Sequence, residues 1–186
     1  KLTPWQAWHF KQQTQSDHNL RITPVSHSFN NQQVTIIDFP TTPIARLRHV
    51  GQPALVMKTV SLFIQWRRTQ NNLSPKESDT FNVLYDDPNT VDANEYRFDV
   101  ACSVNDKINE NDVGVENALI HEGKCARLRC TGTNETMAQA IQYLYGEWLV
   151  VNEHECDDRP LFVKRVAMYP EVAMHQQVFE IFLPIR

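Results

Sequence analysis

The chain has 186 residues, 41% of them hydrophobic, a formal net charge of −4 and a pI near 6.0. That length suits one mid-sized domain, or two fused halves sharing a core. The acidic balance argues against a polybasic nucleic-acid binder, no run of about 18 apolar residues marks a membrane span, and Lys1-Leu2-Thr3-Pro4-Trp5 does not read as a secretory leader.

Taken in chain order, the first signal is a helix start: Thr3 is a natural N-cap and Pro4 a natural first-turn residue. A polar stretch, Gln12 to Asn19, reads as the start of a linker, and Val34-Thr35-Ile36-Ile37 as one extra strand. A strand follows from about Ile44 to Val50, stopped by Gly51. From Pro53 to Arg68, Val56, Val60, Phe63 and Trp66 recur every three or four positions, the period of a helix packed on one side. Phe81 to Tyr85 is rich in strand formers and ends at Asp86-Asp87-Pro88. From Tyr96 to Val104 the pattern alternates, with Phe98, Val100, Cys102 and Val104 on one face and Asp99, Ala101 and Ser103 on the other. The same series then recurs: a strand at about Lys124 to Thr131, and a helix at about Glu135 to Val150 with Asn134 as N-cap. Strands at Leu161 to Met168 and Val178 to Pro184 complete it.

The recurrence is an internal duplication. Ala45-Arg46-Leu47-Arg48-His49-Val50-Gly51 returns 81 residues later as Ala126-Arg127-Leu128-Arg129-Cys130-Thr131-Gly132. The same offset carries Phe81 onto Phe162, and Phe98-Asp99-Val100 onto Phe179-Glu180-Ile181. The expected fold is therefore α+β: two strand-helix-strand-strand units forming an antiparallel sheet, helices on one face, and a ligand groove between the halves.

Four cysteines, Cys102, Cys125, Cys130 and Cys156, are irregularly spaced, and Cys125 and Cys130 point to opposite faces of one strand, so free buried thiols are expected. His154 and Cys156 lie in an acidic stretch that reads as a solvated loop, not a metal site. Neither metal nor cofactor is expected. With five glycines the chain is poorly provided with phosphate-cradling loops.

In the final strand Phe179, Ile181, Leu183 and Ile185 form the face under the helices, leaving Glu180 and Phe182 on the other. A carboxylate among so many apolar residues is costly unless paired or hydrogen-bonded. Glu180 is thus either salt-bridged at a half-wet surface or set at the groove floor against a ligand. Asp99 is its duplicate among smaller, more polar neighbours, and the weaker candidate. Arg46, Arg48, Arg127 and Arg129 share the carboxylates' parity. They are exposed, or they pair with Asp99 and Glu180 and leave a groove suited to a zwitterion or neutral ligand. An excess of unpaired arginine favours an anion. Tyr85, Trp66, Trp148, Tyr145, Tyr169 and Phe182 are the aromatic candidates for the lining; beside a carboxylate they suit an organic cation. Trp66 and Trp148 also lie on apolar helix stripes and fit the core equally well.

Four segments carry a family resemblance: Gly123-Lys124-Cys125-Ala126, Tyr143-Leu144-Tyr145-Gly146-Glu147-Trp148-Leu149, Arg159-Pro160, and Val178-Phe179-Glu180-Ile181-Phe182-Leu183-Pro184-Ile185. Over about residues 42 to 186 the chain resembles the gyrase-inhibitor-like effector-binding domain. The resemblance implies a small-molecule sensor, not an enzyme, with Glu180 as the ligand-contacting acid. Two departures stand out: Phe182 replaces a common tyrosine, and Pro160-Leu161-Phe162-Val163-Lys164-Arg165 lacks the acid and tyrosine of the family's "P-x-x-E-x-Y". Leu2 to Lys11 resembles the opening of the last helix in an AraC-type helix-turn-helix domain.

Together these imply three regions: 1–16, a remnant of that DNA-binding domain; 17–41, a linker with one strand; and 42–186, the effector-binding domain, with halves at about 42–105 and 123–186. The implied protein is a cytoplasmic bacterial regulator that binds a small organic molecule, cationic or zwitterionic, and meets DNA only through a domain absent from this chain. The alternatives are a stand-alone binding protein of the same fold, or a hydrolase using Glu180 as base.

Overall fold

A computed structural model describes residues 29–186. The Thr3-Pro4 helix start and the Gln12–Asn19 linker lie outside the described residues. Eight strands form one antiparallel sheet: β1 (Val34–Phe39), β2 (Thr42–Val50), β3 (Thr80–Leu84), β4 (Arg97–Ser103), β5 (Glu116–Ile120), β6 (Gly123–Thr131), β7 (Leu161–Ala167) and β8 (Val178–Pro184). Helix α1 (Val56–Arg68) joins β2 to β3. Helix α2 (Asn134–Tyr143) joins β6 to β7, running on through a π-helical turn, Leu144–Trp148, into a last turn, Leu149–Val151.

The strand order is β1-β6-β8-β7-β3-β4-β2-β5. Exchanging each strand for its duplicate (β1 with β5, β2 with β6, β3 with β7, β4 with β8) reproduces the same order read backwards. The sheet therefore has a pseudo-two-fold axis between β7 and β3. The repeating unit is one strand longer than the sequence pattern implied. Its leading strand is β1 in the first half and β5 in the second, and each pairs with the other half: β1 with β6, β5 with β2. In Glu116-Asn117-Ala118-Leu119-Ile120 the alternation is too weak to announce a strand, though the 81-residue offset maps β1 onto it.

The connections force the sheet to curl. β1 and β2 are six positions apart in the strand order, about 29 Å across a flat sheet at ~4.8 Å per strand. Yet only Pro40 and Thr41 join them, and three Cα steps of 3.8 Å reach about 11 Å. The β5–β6 link through His121 and Glu122 imposes the same condition at the other edge. The two links meet: Thr41 Oγ1 donates to Glu122 Oε2 at 2.9 Å, and these residues are themselves 81 positions apart.

Both helices cover the outer face of this curl. Under α1, Phe63 and Trp66 pack on Ala45, Leu47, Val100 and Cys102. Under α2 and its extension, Ile141, Leu144 and Trp148 pack on Leu128, Val163, Phe179, Ile181 and Leu183. A fully buried Phe or Leu of this kind stabilises the fold by about 1.5–3 kcal/mol. The N-cap of α2 is Thr133, not Asn134: the Thr133 side chain accepts from the backbone of Thr136, whose own hydroxyl caps the Thr133 N–H in return. All four cysteines are free, and burial raises the thiol of Cys125 to about 11 and that of Cys130 to about 12.

Candidate ligand-binding site

The inner, concave face is built differently in the two halves, although the sequence repeats. In the second half it is filled. Phe162 and Phe182 stack 4.9 Å apart with rings nearly parallel, and Phe39 meets both edge-on at 4.7 and 5.1 Å. Their duplicates are Phe81, Ala101 and Ile120, so two of the three rings become smaller side chains. Phe81 stays within the buried cluster. A cavity of about 270 Å³ lies where the halves meet. Ile44, Arg46, Arg48, Val83 and Tyr85 line it from the first half, and Leu119, Ile120, His121, Arg159, Pro160, Phe162 and Pro184 from the second.

The polar wall rests on one carboxylate. Asp99, on β4 opposite Arg48 of β2, has a side chain with no exposure. Arg48 Nε and Nη2 donate to its two oxygens at 2.9 and 3.0 Å, Arg46 Nη1 donates at 3.0 Å and the Tyr85 hydroxyl at 2.8 Å. Arg46 then reaches outward: its Nε and Nη2 bond Glu116, the residue facing it on β5, at 2.9 and 2.7 Å. Desolvation pulls the Arg46 guanidinium down, but Asp99 and Glu116 outweigh it and hold its pKa above the ordinary value. The bonds from Arg48 to Asp99 likewise raise Arg48. Burial, then the bond to Asp99, raises Tyr85, so it remains a protonated donor. The Arg48 guanidinium lies 4.7 Å from the Tyr85 ring centroid, within cation–π reach.

Arg159 closes the opposite wall. Its Nε donates to Asp157 at 2.8 Å, while Nη1 and Nη2 donate to the carbonyls of Glu122 and Lys124 at 2.9 and 3.0 Å, clamping the β5–β6 turn. The turn accommodates the guanidinium because residue 123 is glycine: φ is +141°, and a Cβ there would lie 2.6 Å from Nη1.

Of the two carboxylates it is Asp99, the weaker candidate by sequence, that is fully buried. Glu180 keeps 13% side-chain exposure and holds a single salt bridge, to Arg129 at 3.1 Å. The reason lies in its neighbours. The duplicate of Tyr85 is Val166, which has no hydroxyl to offer, and Arg127 donates to Thr35 at 3.2 Å instead of to the carboxylate. Phe182 lies in the aromatic stack, next to the cavity but not on its wall. Trp66 and Trp148 sit in the core under the helices and Tyr145 packs against it, all on the far side of the sheet from the cavity. Tyr169 is 67% exposed in the β7–β8 loop. The structure thus gathers Tyr85 and Asp99 from the sequence-level candidates, and the arginines at 46 and 48. Leu119, His121, Glu116 and Arg159 were not foreseen. Carrying the repeat back to residues 34–39 would have brought β5 against β2, with Glu116 and Leu119 in it and His121 just past its end.

Among the described residues no group of His, Cys, Asp and Glu is arranged to hold a metal ion, and no helix is long and apolar enough to cross a membrane.

Sheet, helices and cavity define a class: a duplicated antiparallel α+β module with a small-molecule-sized cavity at the junction of its halves. The chain belongs to the GyrI-like small molecule binding domain family, whose model matches residues 32–186. It is 31% identical over 153 residues to the probable transcriptional regulator YgiV of Escherichia coli (strain K12), covering 82% of this chain and 95% of that protein. Its fold is similar to the EcmrR C-terminal domain, with a TM-score of 0.67 at 14% identity over 83% of this chain and 97% of that one. Against the EcmrR chain in a complex with DNA the chain spans 57% of the length, again at a TM-score of 0.67 and 14% identity. A hydrolase from Listeria innocua has a similar fold at a TM-score of 0.53 and 10% identity, over 83% of this chain and 92% of that one. At such identities these structures show the fold alone.

Proposed function

We propose that this chain is the effector-sensing part of a cytoplasmic bacterial transcription regulator of the AraC type, and that it is not an enzyme. Its effector is a small organic molecule held in the junction cavity, and the Asp99 carboxylate organises the wall the effector meets. The observation that carries this reading is the cavity itself: ligand-sized, largely apolar, and fitted with a few polar groups fixed in advance by Asp99, as small-molecule sites are. Its placement also suits a sensor. Both halves contribute walls, so an occupant that fits one relative placement of the halves better than another shifts the balance between them. The AraC-type assignment rests on Leu2 to Lys11. A second reading has one observation behind it: the matched region makes up 95% of YgiV, so a chain of this fold also occurs with little else attached. In that case the protein acts as a stand-alone binding protein.

The test is differential scanning fluorimetry of the unaltered chain against a panel of organic cations, zwitterions and anions, repeated on Val83→Trp. Val83 lines the cavity and shares the inner face with its register partners Asp99 and Phe162, so the larger ring fills the site at about 1–3 kcal/mol of overpacking, which the baseline Tm reads. Stabilisation by a hit that disappears in V83W supports the site; hits indifferent to V83W overturn it.

A further inference from the structure

The charge of the cavity wall is not the charge of its buried carboxylate. The ionisable side chains that reach the wall are Arg46, Arg48, Arg159, His121 and Tyr85, and none of them is an acid. Asp99 lies beneath this layer, and both its oxygens are taken by the donors of Arg46, Arg48 and Tyr85. A cationic ligand would have to break the two-toothed Arg48 contact before it met a negative charge, and would leave that guanidinium without its partner. An anionic ligand breaks nothing. Arg48 uses Nε and Nη2 on Asp99, so Nη1 takes no part in the fork, and its side chain is 34% exposed toward the cavity. Glu116 balances Arg46, Asp99 balances Arg48 and Asp157 balances Arg159, so the layer is neutral as a whole. Its acids are buried beneath Arg48 or off the cavity wall, and what a ligand meets first is the edge of the Arg48 guanidinium outside the fork. Below it the cavity is apolar, with Val83, Ile44 and Phe162 on its wall. At about 270 Å³ it lies at the small end of ligand cavities.

We infer that the effector is a small organic anion, an aryl carboxylate or its like of one or two rings, with the acid group on Arg48 and the ring lying over Val83 and Phe162. The inference rests on the junction cavity being the effector site and adds the ligand's charge and shape. A fixed guanidinium pairs with a carboxylate by charge-assisted hydrogen bonds about twice as strong as neutral ones, so the preference is readable among ligands that share one apolar body.

Three such probes are 2-naphthoate, 2-naphthamide and (2-naphthylmethyl)trimethylammonium, titrated into the unaltered chain by isothermal calorimetry at neutral pH. The expected order is naphthoate at least tenfold tighter than the amide, and the ammonium weakest. Naphthoate affinity should fall at least tenfold in Arg48→Gln, recover in part in Arg48→Lys, and vanish in Val83→Trp. The ranking of the three probes on the unaltered protein decides the matter even if R48Q or V83W folds poorly. An ammonium probe that binds best and is blocked by V83W overturns the inference and leaves the site standing. Binding by none of the three, or binding that V83W does not touch, overturns both.

Discussion

Asp99→Asn is the perturbation for which the structure fixes a magnitude. The carboxylate is fully buried and accepts four hydrogen bonds, three of them from Arg46 and Arg48, and it is the ion-pair partner of Arg48. Asparagine keeps the shape but presents an NH2 donor to guanidinium donors and removes the charge between two like charges. Breaking a fully buried ion pair costs about 3–5 kcal/mol. Here Arg46 and Arg48 retain 21% and 34% side-chain exposure, so water recovers part of that, and the expected loss is about 2–3 kcal/mol. For a domain of this size that corresponds to a Tm lowered by roughly 4–12 °C. The duplicate change, Glu180→Gln, removes one bond from a half-wet pair whose arginine is 58% exposed, and such pairs contribute about 0–1 kcal/mol. Urea unfolding of both variants beside the unaltered chain reads the difference directly. Equal losses at the two positions, or a loss below about 1 kcal/mol at Asp99, would refute the claim that Asp99 anchors the wall.

Phe182→Ala should cost about 3–5 kcal/mol by urea unfolding, because it removes one ring of a packed stack; a loss under about 1 kcal/mol would mean the stack does not hold the second half closed. The converse change, Ala101→Phe, restores the missing ring beside the cavity at about 1–3 kcal/mol of overpacking and should abolish ligand-induced stabilisation in scanning fluorimetry. Gly123→Ala sets a methyl into the Arg159 guanidinium at a positive φ and should lower stability by about 1–3 kcal/mol, a loss that Arg159→Ala relieves in part if the clash is the cause. The bonds from Arg97 to Asp86 hold that carboxyl below the usual carboxylate range. The folded state therefore binds its proton later than the unfolded chain does, so the pair's contribution is complete above about pH 5 and is lost as pH falls through the lowered pKa. The urea midpoints of the unaltered chain and Asp86→Asn should converge between about pH 6 and about pH 3, and a constant gap would contradict this.

Much of the fold was legible because the duplication was. One offset ties Arg46 to Arg127, Asp99 to Glu180 and Gly51 to Gly132, and strand parity sorted Phe179, Ile181 and Leu183 from Glu180 and Phe182 correctly. Parity also put the arginines with the carboxylates, and three of the four form those pairs. What the repeat concealed was its own asymmetry. A carboxylate's burial is set by cross-strand partners distant in the chain: Tyr85 against Val166, Glu116 reaching Arg46, and Arg127 drawn off to Thr35. Small, polar neighbours made Asp99 look the weaker candidate, whereas cross-strand donors from Arg46, Arg48 and Tyr85 are what bury and hold it. Aromatic content pointed equally to Trp66, Trp148 and Tyr85. Only the side of the sheet each faces separates them, and for a helix residue that is decided by packing rather than by parity.

The most direct measurement is a crystal structure of the chain with its tightest-binding effector. The account predicts ligand density at the junction of the halves, bounded by Arg48, Tyr85 and Phe162, with the Asp99 contacts intact beneath it. Density beside Glu180 and Arg129, or under the helices at Trp66 or Trp148, with the junction cavity empty, would contradict it.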